Sequence, residues 1–122
     1  MKISEIAPPR LFRVGQAEQI EIADCARIDL APDEQVTFRT DSGAEYDVTR
    51  KDWGFYATPS LNGRLAAFAL KGVLVRNPAA LLFVLLVEES RMSLFQRYVE
   101  QEQLTILAWL DQGEFFREAP RS

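Results

Sequence analysis

Apolar and polar side chains alternate with period two in several short segments between residues 20 and 50, and a period near 3.6 appears after residue 90. Residues 10–14 read as a short strand that Gly15 ends, after an extended opening fixed by Pro8 and Pro9. Ile20 and Ile22 flank Glu21, and Ile28 and Leu30 alternate in the same way before a turn at Pro32-Asp33. Residues 34–40 put Val36 and Phe38 on one face, and residues 44–50 do the same with Tyr46 and Val48. Asp41-Ser42-Gly43 joins the two, which predicts a β-hairpin. A tight turn or bulge follows at Lys51-Asp52-Trp53-Gly54, then a short extended piece up to Pro59. Asn62-Gly63 predicts a second hairpin, with 65–75 extended and Gly72 as a bulge or kink. Residues 81–87 are an unbroken apolar run, the pattern of a strand buried on both faces.

The helical period appears in Met92, Phe95 and Val99, giving a helix over 91–102. Ser90 and Ser93 are its candidate N-caps, and Ser93 with Gln96 resembles a capping box. Leu104, Ile106, Ala108 and Leu110 alternate, which favours a final strand over a longer helix. The mostly polar tail holds Phe115-Phe116 as a docking pair or a short helix. The expectation is therefore an α+β fold: a mainly antiparallel β-sheet assembly, a small sandwich or open barrel, with one C-terminal helix and a final strand. A length of 122 residues suits a single domain over 1–122 with a core of its own.

Composition changes this picture mainly by exclusion. Histidine is absent, which removes Ser-His-Asp and Cys-His catalysis and Cys/His zinc sites. Cys25 is the only cysteine, so no internal disulfide forms, and its small apolar neighbours predict a buried thiol. Fourteen basic and 18 acidic residues leave a net charge of -4, which argues against a nucleic-acid partner. The acidic positions lack calcium-loop spacing, the glycines build no phosphate cradle, and no cofactor is implied. No apolar run reaches membrane-spanning length, and residues 1–9 lack the apolar core of a secretory leader. A cytoplasmic protein is expected, with no membrane partner.

Residues 48–65 concentrate the candidate chemistry. Arg50, Lys51 and Arg64 are cations suited to a carboxylate or phosphate. Trp53, Phe55 and Tyr56 offer ring faces, and Asn62 and Thr58 offer directional hydrogen bonds. If the two turns fold back on one another, Arg50 and Arg64 approach across one hairpin. The ligand-binding candidates are thus Arg50, Lys51, Trp53, Tyr56, Asn62 and Arg64, for an anionic or sugar-like small molecule. The same residues also suit an ordinary strand edge with its turns, or a protein interface. Tyr56 or Asp52 as acid/base with Arg64 as oxyanion clamp describes a histidine-independent carbohydrate lyase or isomerase, and Lys51 a Schiff-base lysine. An oligomeric role without small ligand, through an edge strand or the Phe115-Phe116 tail, is the third reading.

The block Thr49-Arg50-Lys51-Asp52-Trp53-Gly54-Phe55-Tyr56-Ala57-Thr58-Pro59-Ser60-Leu61-Asn62-Gly63-Arg64 resembles one shared by a family of small uncharacterised bacterial proteins. The likeness extends to Val87 and to Trp109-Leu110-Asp111. That resemblance implies an association with surface-polysaccharide or nonulosonate-type sugar gene neighbourhoods. It carries no catalytic residue with it. With the segment's chemistry, it leads to an expected non-catalytic accessory or binding protein for an anionic sugar or sugar-nucleotide.

Overall fold

Eight strands fall into three antiparallel sheets in the computed structural model, which describes residues 1–15, 19–57 and 59–112. In chain order they are β1 (Lys2–Val14), β2 (Ile20–Asp29), β3 (Gln35–Arg39), β4 (Glu45–Lys51), β5 (Gly54–Ala57), β6 (Leu70–Arg76), β7 (Leu82–Glu88) and β8 (Thr105–Trp109). A four-residue helix, α1 (Arg64–Ala67), precedes β6, and a ten-residue helix, α2 (Met92–Gln101), joins β7 to β8. The sheets are β1-β2, β3-β4-β5 and β7-β6-β8, and none closes into a barrel among the described residues. The α+β expectation, mainly antiparallel with a C-terminal helix and a final strand, holds.

The chain divides into two units. The first comprises Met1–Thr37 and Asp47–Thr58, the second Phe38–Tyr46 and Pro59–Ser122. All eight buried apolar residues among those described belong to the second unit. One cluster joins Val73, Val75, Val87 and Phe95, with Leu85, Met92, Val99, Leu104, Ile106 and Trp109 packed against it. The helical stripe Met92, Phe95 and Val99 is thus the face that α2 buries. Phe95 meets Trp109 edge-on, with ring centroids 5.9 Å apart at 72°. A second cluster gathers Ala44, Leu65 and Leu70 under Tyr46 and Leu86.

The β3-β4 hairpin forms where the alternation placed it. Backbone bonds from Thr40 to Ala44 and from Arg50 to Glu34 bracket it and set Thr37 opposite Asp47. That register explains the Thr37 hydroxyl donating to Asp47 at 2.7 Å, Thr49 donating to Gln35 at 2.9 Å, and the Arg39–Glu45 ion pair at 3.4 Å. Gly43 supplies the turn's positive φ of 94°. The turn at Lys51 to Gly54 likewise forms and leads directly into β5.

Several expectations change. Asn62-Gly63 does not close a hairpin. Gly63 has φ -133°, outside the left-handed region a type I′ turn requires, and the chain winds into α1 instead. The Ser60 hydroxyl accepts from the Arg64 N–H at 2.9 Å and its carbonyl from the Leu65 N–H at 2.9 Å, which starts the helix. Extended structure therefore begins at Leu70 rather than 65. Gly72 makes no bulge against β7, where the register is regular. A Cβ there would lie 3.3 Å from Leu61 Cδ2 and 3.6 Å from Leu110 Cδ1, so close side-chain approach accounts for the glycine.

The apolar run at 81–87 is not buried on both faces. β7 is an edge strand, and Leu82 and Val84 remain 60% and 62% exposed. Only its second half reaches the core, through Leu85, Leu86 and Val87. The Ser93 capping box is also absent: a 3-10 turn, Glu89–Arg91, runs into α2, and no side chain caps the helix. Cys25 is exposed rather than buried, because it lies in a ribbon of only two strands. Thr58 and the Phe115-Phe116 pair lie outside the described residues.

Candidate functional site

The candidates from residues 48–65 separate between the two units. Arg50, Lys51, Trp53 and Tyr56 belong to the first, Asn62 and Arg64 to the second. Within the first, β4 pairs with β5 so that Arg50 lies opposite Phe55 and Thr49 opposite Tyr56. Partners in an antiparallel ladder share a face and successive residues alternate. Arg50 and Tyr56 therefore project from opposite faces of this ribbon.

The two cations of β4 already have partners. Arg50 Nη1 donates to the Leu30 carbonyl at 3.1 Å, and its backbone bonds Asp33 and Glu34. Lys51 forms a hydrogen-bonded ion pair with Asp33. That bond, then the charges of Asp33 and Asp52, hold the Lys51 ammonium above its ordinary range. A Schiff-base lysine needs the opposite shift. Trp53 sits in the turn, 69% exposed, and Tyr56 is 51% exposed, so both side chains meet solvent. In the second unit, Asn62 is exposed in the turn before α1, and the Arg64 guanidinium lies 5.3 Å from the Phe68 ring.

A concavity not singled out by sequence reasoning lies wholly within the second unit. It has a volume of about 570 Å³ and three walls. The hairpin tip supplies Phe38, Arg39, Thr40, Ala44, Glu45 and Tyr46. β7 supplies Leu85 to Glu88, and α2 with the turn before it supplies Arg91, Leu94, Phe95 and Tyr98. Both strands of the hairpin line it, β3 through Phe38 and Arg39 and β4 through Glu45 and Tyr46.

Polar contacts fix its geometry. Glu88 accepts from the Ser42 hydroxyl and from the Thr40 hydroxyl, the latter at 2.8 Å. Together with the nearby Arg91 charge, these bonds hold the Glu88 carboxyl below its ordinary range. The tip is thereby tied to the end of β7. Tyr46 lines the floor, and burial pushes its phenol above its ordinary range. Arg39 and Glu45 form an open ion pair among the lining residues.

One sequence signal pointed here. Leu94 and Tyr98 are spaced i, i+4 beside the core stripe of α2, a second apolar row with no core to bury it. The rest of the groove depends on bringing 38–46 against 85–98, a long-range approach that no local pattern encodes. Among the described residues no group of His, Cys, Asp or Glu is arranged to hold a metal ion, and no helix is long and apolar enough to cross a membrane. Comparisons with protein-family models, curated proteins and solved structures give no match.

Proposed function

We propose that the protein is a non-catalytic binding protein and that the groove of the second unit holds its ligand. The observation that carries this reading is the combination of aromatic and aliphatic walls with Arg39 and Arg91 in one concavity, where an anionic ligand would compete with Glu45 for Arg39 and with Glu88 for Arg91. Its volume lies within the range of small-ligand pockets, roughly 300–1,000 Å³. Guanidinium groups recognise carboxylate or phosphate in a bidentate manner, and Phe38, Tyr46 and Tyr98 offer faces to a planar ring. Among the anionic sugars suggested by residues 48–65, this lining suits a sugar nucleotide better than a bare sugar acid. The base would stack on the aromatic wall while the diphosphate meets the guanidinium groups. A bacterial cytoplasmic setting, supported by the single cysteine and the sequence resemblance, would provide such a ligand.

A second reading keeps the ligand at residues 50–64, and the exposed rings of Trp53 and Tyr56 favour it. For the lyase or isomerase reading with Tyr56 or Asp52 as acid/base and Arg64 as clamp no observation adds support, and a Schiff-base role for Lys51 draws less, because Lys51 is paired with Asp33.

Titration calorimetry against nucleoside-diphosphate sugars, free sugar acids and medium-chain carboxylates tests these readings. Heat is expected with the sugar nucleotides. Arg91→Ala and Tyr98→Ala should each weaken binding roughly tenfold or more, the size of a lost charge-assisted bond or stacking contact. Loss of affinity in Trp53→Ala and Tyr56→Ala instead moves the site to the β4-β5 ribbon. No heat from any member of the panel, with folded protein, refutes a small-ligand role.

A further inference from the structure

The charged side chains lining the groove of the second unit are Arg39, Glu45, Glu88 and Arg91, two of each sign. Arg39 and Glu45 face each other as an open ion pair at 3.4 Å. Glu88 is held differently. The Thr40 hydroxyl donates to its Oε1 at 2.8 Å, and the Ser42 hydroxyl donates to the same oxygen. Both donors come from the hairpin tip, whereas Glu88 ends β7. The carboxylate is thus oriented by a second element of the fold. A glutamate free to rotate loses side-chain entropy when it grips a ligand, and one already fixed loses less.

An ionised carboxylate only accepts, with about four lone-pair sites on its two oxygens. Thr40 and Ser42 take up those of Oε1. Among the described residues no donor lies within hydrogen-bond distance of Oε2. The bonds to Oε1 keep the carboxyl below its ordinary range, so the group is ionised at neutral pH. Its neighbours decide which donors suit Oε2. Its own charge turns away a phosphate or carboxylate, which belongs with the guanidinium groups. The Arg91 charge close by opposes a second cation, which disfavours an ammonium. Neutral hydroxyls meet neither objection. Two of them on adjacent carbons offer two O–H donors side by side, matching the lone pairs of one oxygen. An acidic side chain holds a ribose hydroxyl in a related manner in dinucleotide-binding folds.

We propose, resting on the small-ligand reading of this groove, that Glu88 selects the ligand by accepting a hydrogen bond from each hydroxyl of a vicinal diol. The ligand then carries a diol beside its anionic group. In a nucleoside-diphosphate hexose the diol belongs either to the ribose or to the hexose ring. A medium-chain carboxylate has none, and Glu88 gives it no contact.

Titration calorimetry of the full chain tests this with the nucleoside-diphosphate hexose that the native protein binds best and two counterparts of it. One counterpart carries 2′-deoxyribose. The other carries a 3-deoxyhexose, which breaks every vicinal pair of the hexose ring. One of the two should bind the native protein about tenfold or more weakly than the parent, the size of a lost hydrogen bond to a charged group, and so identify the source of the diol. Glu88→Gln keeps an amide oxygen for Thr40 and Ser42 but puts a donor in place of Oε2. In that variant the same deletion should cost less than about twofold. A substitution that only loosened the groove would weaken all three ligands alike and leave their ratio unchanged. Near-UV circular dichroism of the Phe95–Trp109 pair reports whether the variant's second unit is folded; if it is not, Glu88→Asp, which draws the oxygen back, carries the same expectation. Full affinity for both deoxy compounds overturns the proposal, and so does a penalty that persists in the Glu88 variants. In both cases binding of the parent compound leaves the small-ligand reading standing. No heat from any nucleoside-diphosphate hexose removes the ligand itself, and the diol with it.

Discussion

Replacing Phe95 by alanine removes the side chain on which the core of the second unit converges. Phe95 is 9% exposed, and it sits in one cluster with Val73, Val75 and Val87 and meets Trp109 edge-on. A phenylalanine buries about 150–250 Å². At ~25 cal/mol per Å², and allowing for what alanine still buries, the transfer loss is about 3 kcal/mol. The cavity left between α2 and β6 raises this to about 4 kcal/mol, within the range seen for such truncations. With a urea slope of ~1.5 kcal/mol/M, the unfolding midpoint should fall by about 2.5 M. Trp109 fluorescence in a Trp53→Phe background follows the transition, since Trp53 lies in an exposed turn and its replacement should be nearly neutral. A double-mutant cycle with Trp109→Leu, followed by far-UV circular dichroism, should return a coupling of about 0.5–1.5 kcal/mol for the edge-on pair. A loss under ~1 kcal/mol for Phe95→Ala, or zero coupling, refutes the placement of Phe95 at the centre of this core.

Three further outcomes follow from local geometry. Ser60→Ala removes the hydroxyl that starts α1 and should cost about 1 kcal/mol in urea unfolding. A Cβ at Gly63 would lie 2.6 Å from that hydroxyl, so Gly63→Ala should cost less in the Ser60→Ala background than in the native one; equal costs would sink the account. Glu88 contributes stability that depends on pH, and the sign is fixed by its lowered pKa. A carboxyl lowered in the folded state stabilises above its unfolded pKa and loses that contribution as pH falls through the folded value. Melting temperatures should therefore drop more steeply below about pH 4.5 in the native protein than in Glu88→Gln, and parallel curves would show that the tether to Ser42 and Thr40 has no energetic role.

Local chemistry made some of this structure legible and hid the rest. The β3-β4 hairpin could be read because alternation on both strands and a glycine with the required positive φ agree. The buried stripe of α2 and the strand β8 could be read because each has a clean period. Asn62-Gly63 misled because the pair is also compatible with a turn into a helix, and Ser60, three residues before Gly63, decided between them. The apolar run of β7 misled for a different reason. Apolar character reports that a surface should be covered, but not by what, and β6 and β8 occupy one side only. Cys25 failed on the same ground. Sheet order, which puts β6 between two strands made after it, is a long-range outcome absent from any local pattern. The groove inherits that difficulty, since its walls come from three separate stretches.

The β3-β4 hairpin has a consequence for how this chain can be cut. Its tip, Phe38–Tyr46, is part of the second unit, while the residues on either side of the tip belong to the first. Neither unit is a continuous length of polypeptide, so no single break in the gene releases one of them whole. A fragment ending near residue 58 would carry a hairpin tip stripped of Leu65, Leu70 and Leu86, the side chains that pack with its Ala44 and Tyr46. A fragment beginning there would lack Thr40 and Ser42, the donors to Glu88. A single cut between the units therefore costs each of them part of its own packing or hydrogen bonding.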